Sequence, residues 1–154
     1  MTKEQLTPWR AALRTAGRSL VVTNGCFDLL HLGHVTYLEA ARNLGDALLV
    51  GVNADATVRQ LKGAGRPVNS ESDRATVLAA LQSVDGVYVF PEYDARTLLT
   101  LVQPDIYAKG GDYTIDTINQ EERRLVESLG GKVAVLGGVP GRSTTGLIEK
   151  MAKS

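Results

Sequence analysis

Five short apolar runs, separated by stretches patterned for helix, recur along this chain, and that alternation leaves few folds open to it. The runs are 19–23 (SLVVT), 47–52 (ALLVGV), 87–90 (VYVF), 105–108 (DIYA) and 132–136 (KVAVL). Runs this apolar, with almost no polar alternation, suit strands buried on both faces, and strand, helix, strand successions give parallel pairing. The expected fold class is therefore α/β, a doubly wound five-stranded parallel sheet that binds its ligands beyond the carboxyl ends of the strands. A length of 154 residues with 44% hydrophobic content is enough for one domain with a proper core and leaves no room for a second. The single domain covers 1–154, with an N-terminal helix within 1–17 and the core over 19–151.

The helices are read from period and punctuation. Leu6, Trp9, Ala12, Leu13 and Ala16 lie at helical spacing over 3–16, and Gly17 is a fitting stop. Asn24 and Gly25 end the first strand in a tight turn. Val35, Leu38, Ala41 and Leu44 form the apolar stripe of the next helix, which Gly45 closes. Residues 61–69 (LKGAGRPVN) have the composition of a mobile loop. The pattern SESD at 70–73 caps a helix over 75–81, Asp94 caps another through Val102, and Pro104 prevents its continuation. A charged helix follows over 116–129, and a last one starts near Ser143.

Charge excludes some partners. Lys plus Arg and Asp plus Glu are 17 each, so no global basic field exists to hold nucleic acid or an anionic membrane, and any anion must be gripped locally. Cys26 is the only cysteine and suits a reducing compartment. The opening MTKEQLTPWR is not an apolar leader, and no run approaches the roughly 20 apolar residues of a membrane span. A soluble, cytoplasmic protein is expected.

The only histidines, His31 and His34, share the turn HLGH at the start of the helix after the first strand. Three residues apart, their rings can face one ligand, and Gly33 between them admits a close backbone or phosphate. Free N–H groups at a helix start favour an anion, and a phosphate chain fits. His31, His34 and Asp28 could instead ligate a divalent ion, but zinc spacings such as HExxH are absent. Cys26 as a nucleophile lacks a base at known distance. The counterpart near the other terminus is GRSTTG, 141–146, where Ser143 or Thr144 can cap the final helix and, with Arg142, cradle phosphate. In a doubly wound sheet the first and last loops can meet across the strand ends, which would bring this turn to HLGH.

These residues resemble the nucleotidyltransferases of the cytidylyltransferase-like superfamily, with their Rossmann-like fold. The motif G-x-F-D-x-x-H-x-G-H stands here from Gly25 through Cys26, Phe27, Asp28, His31 and Gly33 to His34, and the later S-T-T is Ser143, Thr144 and Thr145. More closely, NGCFDLLHLGH, VNAD at 52–55, LKGAGRPVN and KGGDY at 109–113 resemble the D-glycero-β-D-manno-heptose 1-phosphate adenylyltransferases, over 19–151. One departure is that relatives carry an arginine several residues before S-T-T, where this chain has Gly138, Val139 and Pro140. Either Arg142 replaces it or the charge is absent.

The resemblance implies transfer of AMP from ATP to a sugar 1-phosphate, giving ADP-heptose for lipopolysaccharide precursors. It implies that His31, His34, Lys62 and Thr144 act on the triphosphate. Asn24, Gly25, Cys26, Phe27, Asp28, Gly33, Gly110, Gly111, Asp112, Arg142, Ser143, Thr144 and Thr145 would hold the nucleotide. Lys62, Arg74 and Lys109 would meet substrate phosphate, Arg74 alternatively a neighbouring subunit. Mg2+ would come with ATP, Asp28 orienting it or its waters. A homodimer is implied, as is a separate heptose kinase upstream. A relative using CTP with glycerol 3-phosphate, or a nucleotide sensor without chemistry, would carry much of the same pattern.

Overall fold

The structure is a computed structural model, and it describes residues 1–111, 113–137 and 144–152. Asp112, Arg142 and Ser143 of the expected site, and Gly138, Val139 and Pro140 before it, lie outside the described residues.

The strands β1 (Leu20–Gly25), β2 (Ala47–Asn53), β3 (Gly86–Phe90), β4 (Ile106–Gly111) and β5 (Lys132–Gly137) form one sheet in the order β3-β2-β1-β4-β5, every pair parallel. The order reverses between β1 and β4, and a crevice opens there at the carboxyl ends. The beginnings of β1 and β2 are fixed by aspartates on the approaches to neighbouring strands. Asp46 accepts from Ser19 N–H (2.8 Å), Asp105 from Leu20 N–H (2.7 Å) and Asp85 from Leu48 N–H (2.8 Å).

Side chains alternate across β1. Leu20 and Val22 face a core completed by α1 (Lys3–Thr15), α5 (Arg96–Val102) and α6 (Gln120–Ser128), with Leu6, Leu98, Leu99 and Val126 in it. Val21 faces the opposite core, closed by α2 (Leu32–Arg42) and α4 (Glu71–Ala79) through Leu38, Ala41 and Leu78. The last helix, α7, is Thr144–Ala152. No helix among the described residues is long and apolar enough to cross a membrane.

Several boundaries differ from the sequence reading. β1 runs on through Asn24 and Gly25, because these pair with Gly51 and Val52 instead of turning. Residues of the expected loop form the end of an additional helix, α3 (Asp55–Lys62). In α2 only Leu38 and Ala41 of the four-residue stripe are buried, while Val35 and Leu44 are exposed. A step of three residues falls about 60° short of a full turn at 3.6 residues per turn, so a strict three-residue repeat drifts off any one face. Ala95, not Asp94, is the N-cap of α5, although Asp94 Oδ1 accepts from Arg96 N–H at 3.0 Å. α6 starts late because a turn closed by Thr114 and Thr117 precedes it and Asn119 caps it.

α1 buries Arg10 where the pattern favoured apolar neighbours, and Ala12 and Ala16 stay exposed. The Arg10 guanidinium donates to Val102 O and Gln103 O, both at 2.8 Å, and to Asp105 at 3.0 Å. Arg14 reaches the Gln103 side chain at 2.7 Å. Cations there compensate the negative C-terminal end of α5. This rim is a cavity of about 310 Å³ at the opposite end of the sheet from the crevice.

Candidate active site

β1 delivers the chain to the crevice and a strained turn sends it into α2. Phe27 adopts φ 49°, left-handed and uncommon for a bulky residue, and its ring is buried against Gly25, where an added Cβ would lie 3.0 Å from it. The ring also meets His34, centroids 5.4 Å apart. His31 is the N-cap of α2, and its side chain makes no capping hydrogen bond. The His31 and His34 rings stack at 4.0 Å and 29°, so the two imidazoles form one surface at the first turn of the helix. Burial, then the charge of His31, depresses the His34 pKa to about 4, leaving it neutral at pH 7. Its Nδ1 is buried and has no hydrogen-bond partner among the described residues.

The two ends of the sequence meet here. The Thr144 hydroxyl, at the start of α7, donates to Leu29 O at 3.1 Å, two residues before His31. The expected approach of the S-T-T turn to HLGH is present for Thr144, while Ser143 is not described.

Asp28 has a different task from the one expected. Its side chain is wholly buried and accepts from Arg66 Nε (2.6 Å), Val68 N–H (2.8 Å) and Asn69 N–H (3.0 Å), while Asn69 Nδ2 donates to Asp28 O (2.9 Å). Asp28 thus pins the loop after α3 across the turn after β1. With both oxygens occupied it is not poised to orient a metal ion. Among the described residues no three His, Cys, Asp or Glu side chains gather as a metal site.

Arg74, expected to reach a phosphate or a neighbouring subunit, is 2% exposed and turned inward. It donates to Cys26 O, Asn69 O (3.1 Å), Asn53 O (2.8 Å) and Asp55 (2.8 Å), stapling the ends of β1 and β2 to α4. Lys62, at the end of α3, is exposed and makes no ion pair among the described residues. Its charge, with those of Arg74 and Arg66, acts on the Cys26 thiol, whose pKa burial nevertheless raises; a protonated thiol does not suit a nucleophile.

Lys109 and Asn24 face each other across the switch point. Lys109 Nζ donates to Asn24 Oδ1 at 2.9 Å, lies 3.5 Å from Glu122 Oε2 and sits 5.0 Å above the Tyr107 ring. Gly110 answers to packing: an added Cβ would lie 2.5 Å from the Tyr37 ring, so a side chain rather than a nucleotide occupies that space. Gly111, at φ +98°, permits the turn after β4. Tyr37, Tyr107, Arg66 and Glu122 were not anticipated. Only the placement of Arg66 within LKGAGRPVN gave a local hint, because the others act through contacts distant in sequence.

Comparisons with known proteins identify the family. The cytidylyltransferase-like family model matches residues 22–144. The bifunctional protein HldE of Methylobacillus flagellatus is 55% identical over 139 residues, 90% of this chain and 28% of that protein. The bifunctional protein HldE of Pseudomonas fluorescens is 51% identical over 151 residues, 98% of this chain and 31% of that protein. The chain therefore corresponds to less than a third of the length of these relatives. A crystal structure of the lipopolysaccharide core biosynthesis protein from Thermoplasma volcanium superposes with a TM-score of 0.65 at 32% identity, covering 80% of this chain and 98% of that one.

Proposed function

Because the chain belongs to the cytidylyltransferase-like family and is a nucleotidyltransferase, we propose that it transfers AMP from ATP to D-glycero-β-D-manno-heptose 1-phosphate, giving ADP-heptose and pyrophosphate. The observation that carries the reading is the stacked His31–His34 pair at a helix start, with Thr144 of the last helix tied beside it. The sugar assignment is supported by the motif set NGCFDLLHLGH, VNAD, LKGAGRPVN and KGGDY, and by the likeness to a lipopolysaccharide core biosynthesis protein.

The chemistry asks little covalent work of the protein. A phosphate monoester has a second pKa of about 6, so at pH 7 the acceptor is largely ionised and needs no general base. An acceptor phosphate oxygen forms a bond to the α-phosphorus of ATP as the bond to the bridging α,β-oxygen breaks, and pyrophosphate leaves with that electron pair. His31, His34 and the N–H groups at the start of α2 stabilise the charge that builds on the phosphates. The neutral His34 takes up a proton when the polyanion arrives, since an adjacent negative charge favours the imidazolium. Lys62 closes a positive charge over the phosphates from the loop side.

Mg2+ would accompany ATP in this reading as part of the substrate, and it would neutralise part of the triphosphate charge. A sugar kinase supplies the 1-phosphate, the protein works as a homodimer, and the reaction belongs to the cytoplasm. The test is pyrophosphate release from ATP or CTP, each paired with heptose 1-phosphate or glycerol 3-phosphate. Turnover only with ATP and the heptose phosphate is expected. Turnover only with CTP and glycerol 3-phosphate would refute the substrates, and nucleotide binding without turnover of any pair would refute the chemistry.

A further inference from the structure

A buried polar network behind the switch point is not used by the reaction described above. Glu122, on α6, is 3% exposed, and Tyr107, on β4, is fully buried. Glu122 Oε1 accepts from Ala95 N–H at 2.9 Å. The Tyr107 hydroxyl donates to Glu122 Oε2 at 2.8 Å and to Asn24 Oδ1 at 2.6 Å, one phenolic proton shared between two acceptors. Lys109 Nζ also donates to Asn24 Oδ1 at 2.9 Å and stands 3.5 Å from Glu122 Oε2.

Two donors converging on Asn24 Oδ1 settle which way its amide lies. Its Nδ2, at the carboxyl end of β1, then has no acceptor among the described residues. Lys109 has three N–H donors, of which Asn24 engages one, and its charge faces the Glu122 carboxylate at 3.5 Å. A fixed amide and a fixed ammonium, each with a donor to offer, stand side by side where the strand order reverses.

We infer that Glu122 is a positioning residue, which through Tyr107 and Lys109 orients the Asn24 amide and the Lys109 ammonium as a donor pair for the anionic portion of the nucleotide. A group whose only task was to tie α6 to the start of α5 would need the Ala95 contact alone. The second oxygen reaches instead toward two residues of β4, Tyr107 and Lys109. A carboxylate suits the position because it accepts from the phenol and attracts the ammonium together, whereas an amide there would turn N–H groups toward one of them.

This inference rests on the proposed nucleotide reaction, and its test separates the two. Glu122→Gln preserves size and the capacity to accept from Ala95, and Tyr107→Phe preserves the ring and removes only the hydroxyl. The readouts are the Asn24 side-chain amide resonances in ligand-free protein and the affinity for a nonhydrolysable ATP analogue. In both variants the resonances should move and the affinity should fall about tenfold, with KM for ATP rising more than kcat falls, as expected when one charge-assisted contact is misaligned. Unmoved Asn24 resonances and wild-type affinity in folded variants, or in Tyr107→Phe alone if Glu122→Gln does not fold, would overturn the inference. Wild-type protein that binds no nucleotide would overturn the functional reading, while moved Asn24 resonances in the variants would still support the positioning.

Discussion

Asp28 offers the sharpest perturbation, because one substitution separates a loop latch from every other role of the G-x-F-D motif. Asp28→Asn keeps the shape but removes the charge, and its amide must turn either an oxygen or an NH2 toward Arg66 Nε, now 2.6 Å from the carboxylate. If the oxygen stays with Val68 and Asn69, the NH2 opposes the guanidinium. A hydrogen bond to a charged group contributes about 1.5–3 kcal/mol, so losing the Arg66 contact and weakening the two backbone ones should cost about 3 kcal/mol. Residues 63–65 and 68–70 are exposed and can open to water without disturbing the sheet, so the loss should appear as local opening. At about 1.4 kcal/mol per factor of ten, the opening equilibrium rises about 100-fold. Amide hydrogen exchange at Val68 and Asn69 should accelerate accordingly, with Leu48 and Val50 in the sheet unchanged. Protection within threefold of wild type at both amides would refute the latch. Acid gives an independent check. Burial pushes the Asp28 carboxyl up, but the Asn69 N–H, the Arg66 guanidinium and the Val68 N–H outweigh it and hold it below its ordinary range. A depressed carboxyl contributes stability that is present above its unfolded pKa, about 4, and is lost as pH falls through the folded value. Wild-type loop protection should therefore fall below about pH 4, and the Asn variant should lack that step.

His34→Ala should lower turnover by about two to three orders of magnitude with the fold retained, measured by steady-state pyrophosphate release and circular dichroism. The same variant tests proton linkage. With its folded pKa lowered from 6.5 to about 4, His34 stabilises the protein fully above pH 6.5, and that stability declines as pH falls toward 4. Denaturant melts from pH 4 to 8 should show a flatter profile in the alanine variant. Lys62→Ala should weaken nucleotide or acceptor affinity more than it lowers kcat, and unchanged constants would return that lysine to solvent. Gly110→Ala should destabilise by about 1–3 kcal/mol, because the new Cβ would press on the Tyr37 ring at 2.5 Å, and a wild-type melting temperature would show that the ring gives way freely.

The parallel sheet was legible because the strands are short apolar runs, a signal carried by neighbours in sequence; the central β1 and β2 are almost wholly buried, whereas the edge strand β5 has no buried residue. Helix limits were less so. α3 went unread because its eight residues run into a Gly- and Pro-rich segment whose composition speaks for a loop. The α2 stripe was over-read because a three-residue repeat only resembles a helical period. Among site residues, the histidine pair was readable from its spacing. The fates of Asp28 and Arg74 were not, because a charged side chain in a loop or at a helix start looks the same in sequence whether it meets a ligand or the protein's own backbone. Arg74 finds its acceptors up to 48 residues away and Tyr107 finds Asn24 at a separation of 83.

That distinction governs the electrostatics of the crevice. Three cations near it are already matched to carboxylates: Arg66 to Asp28 at 2.6 Å, Arg74 to Asp55 at 2.8 Å and Lys109 to Glu122 at 3.5 Å. These pairs fix the loop, the strand ends and the donor geometry, and each cation brings its counter-charge with it. Among the described residues, a triphosphate meeting such a site would find oriented donors but little unmatched positive charge. In the proposed reaction, the compensation that Mg2+ does not supply would come from groups that are uncommitted before binding. Lys62 is one, having no ion pair among the described residues. His34 is another, neutral until an anion raises its affinity for a proton. In the proposed reaction, rigid pairs and adjustable charges would divide the work between them: the pairs would set where the phosphates lie, and Lys62 and His34 would answer the charge that the phosphates bring.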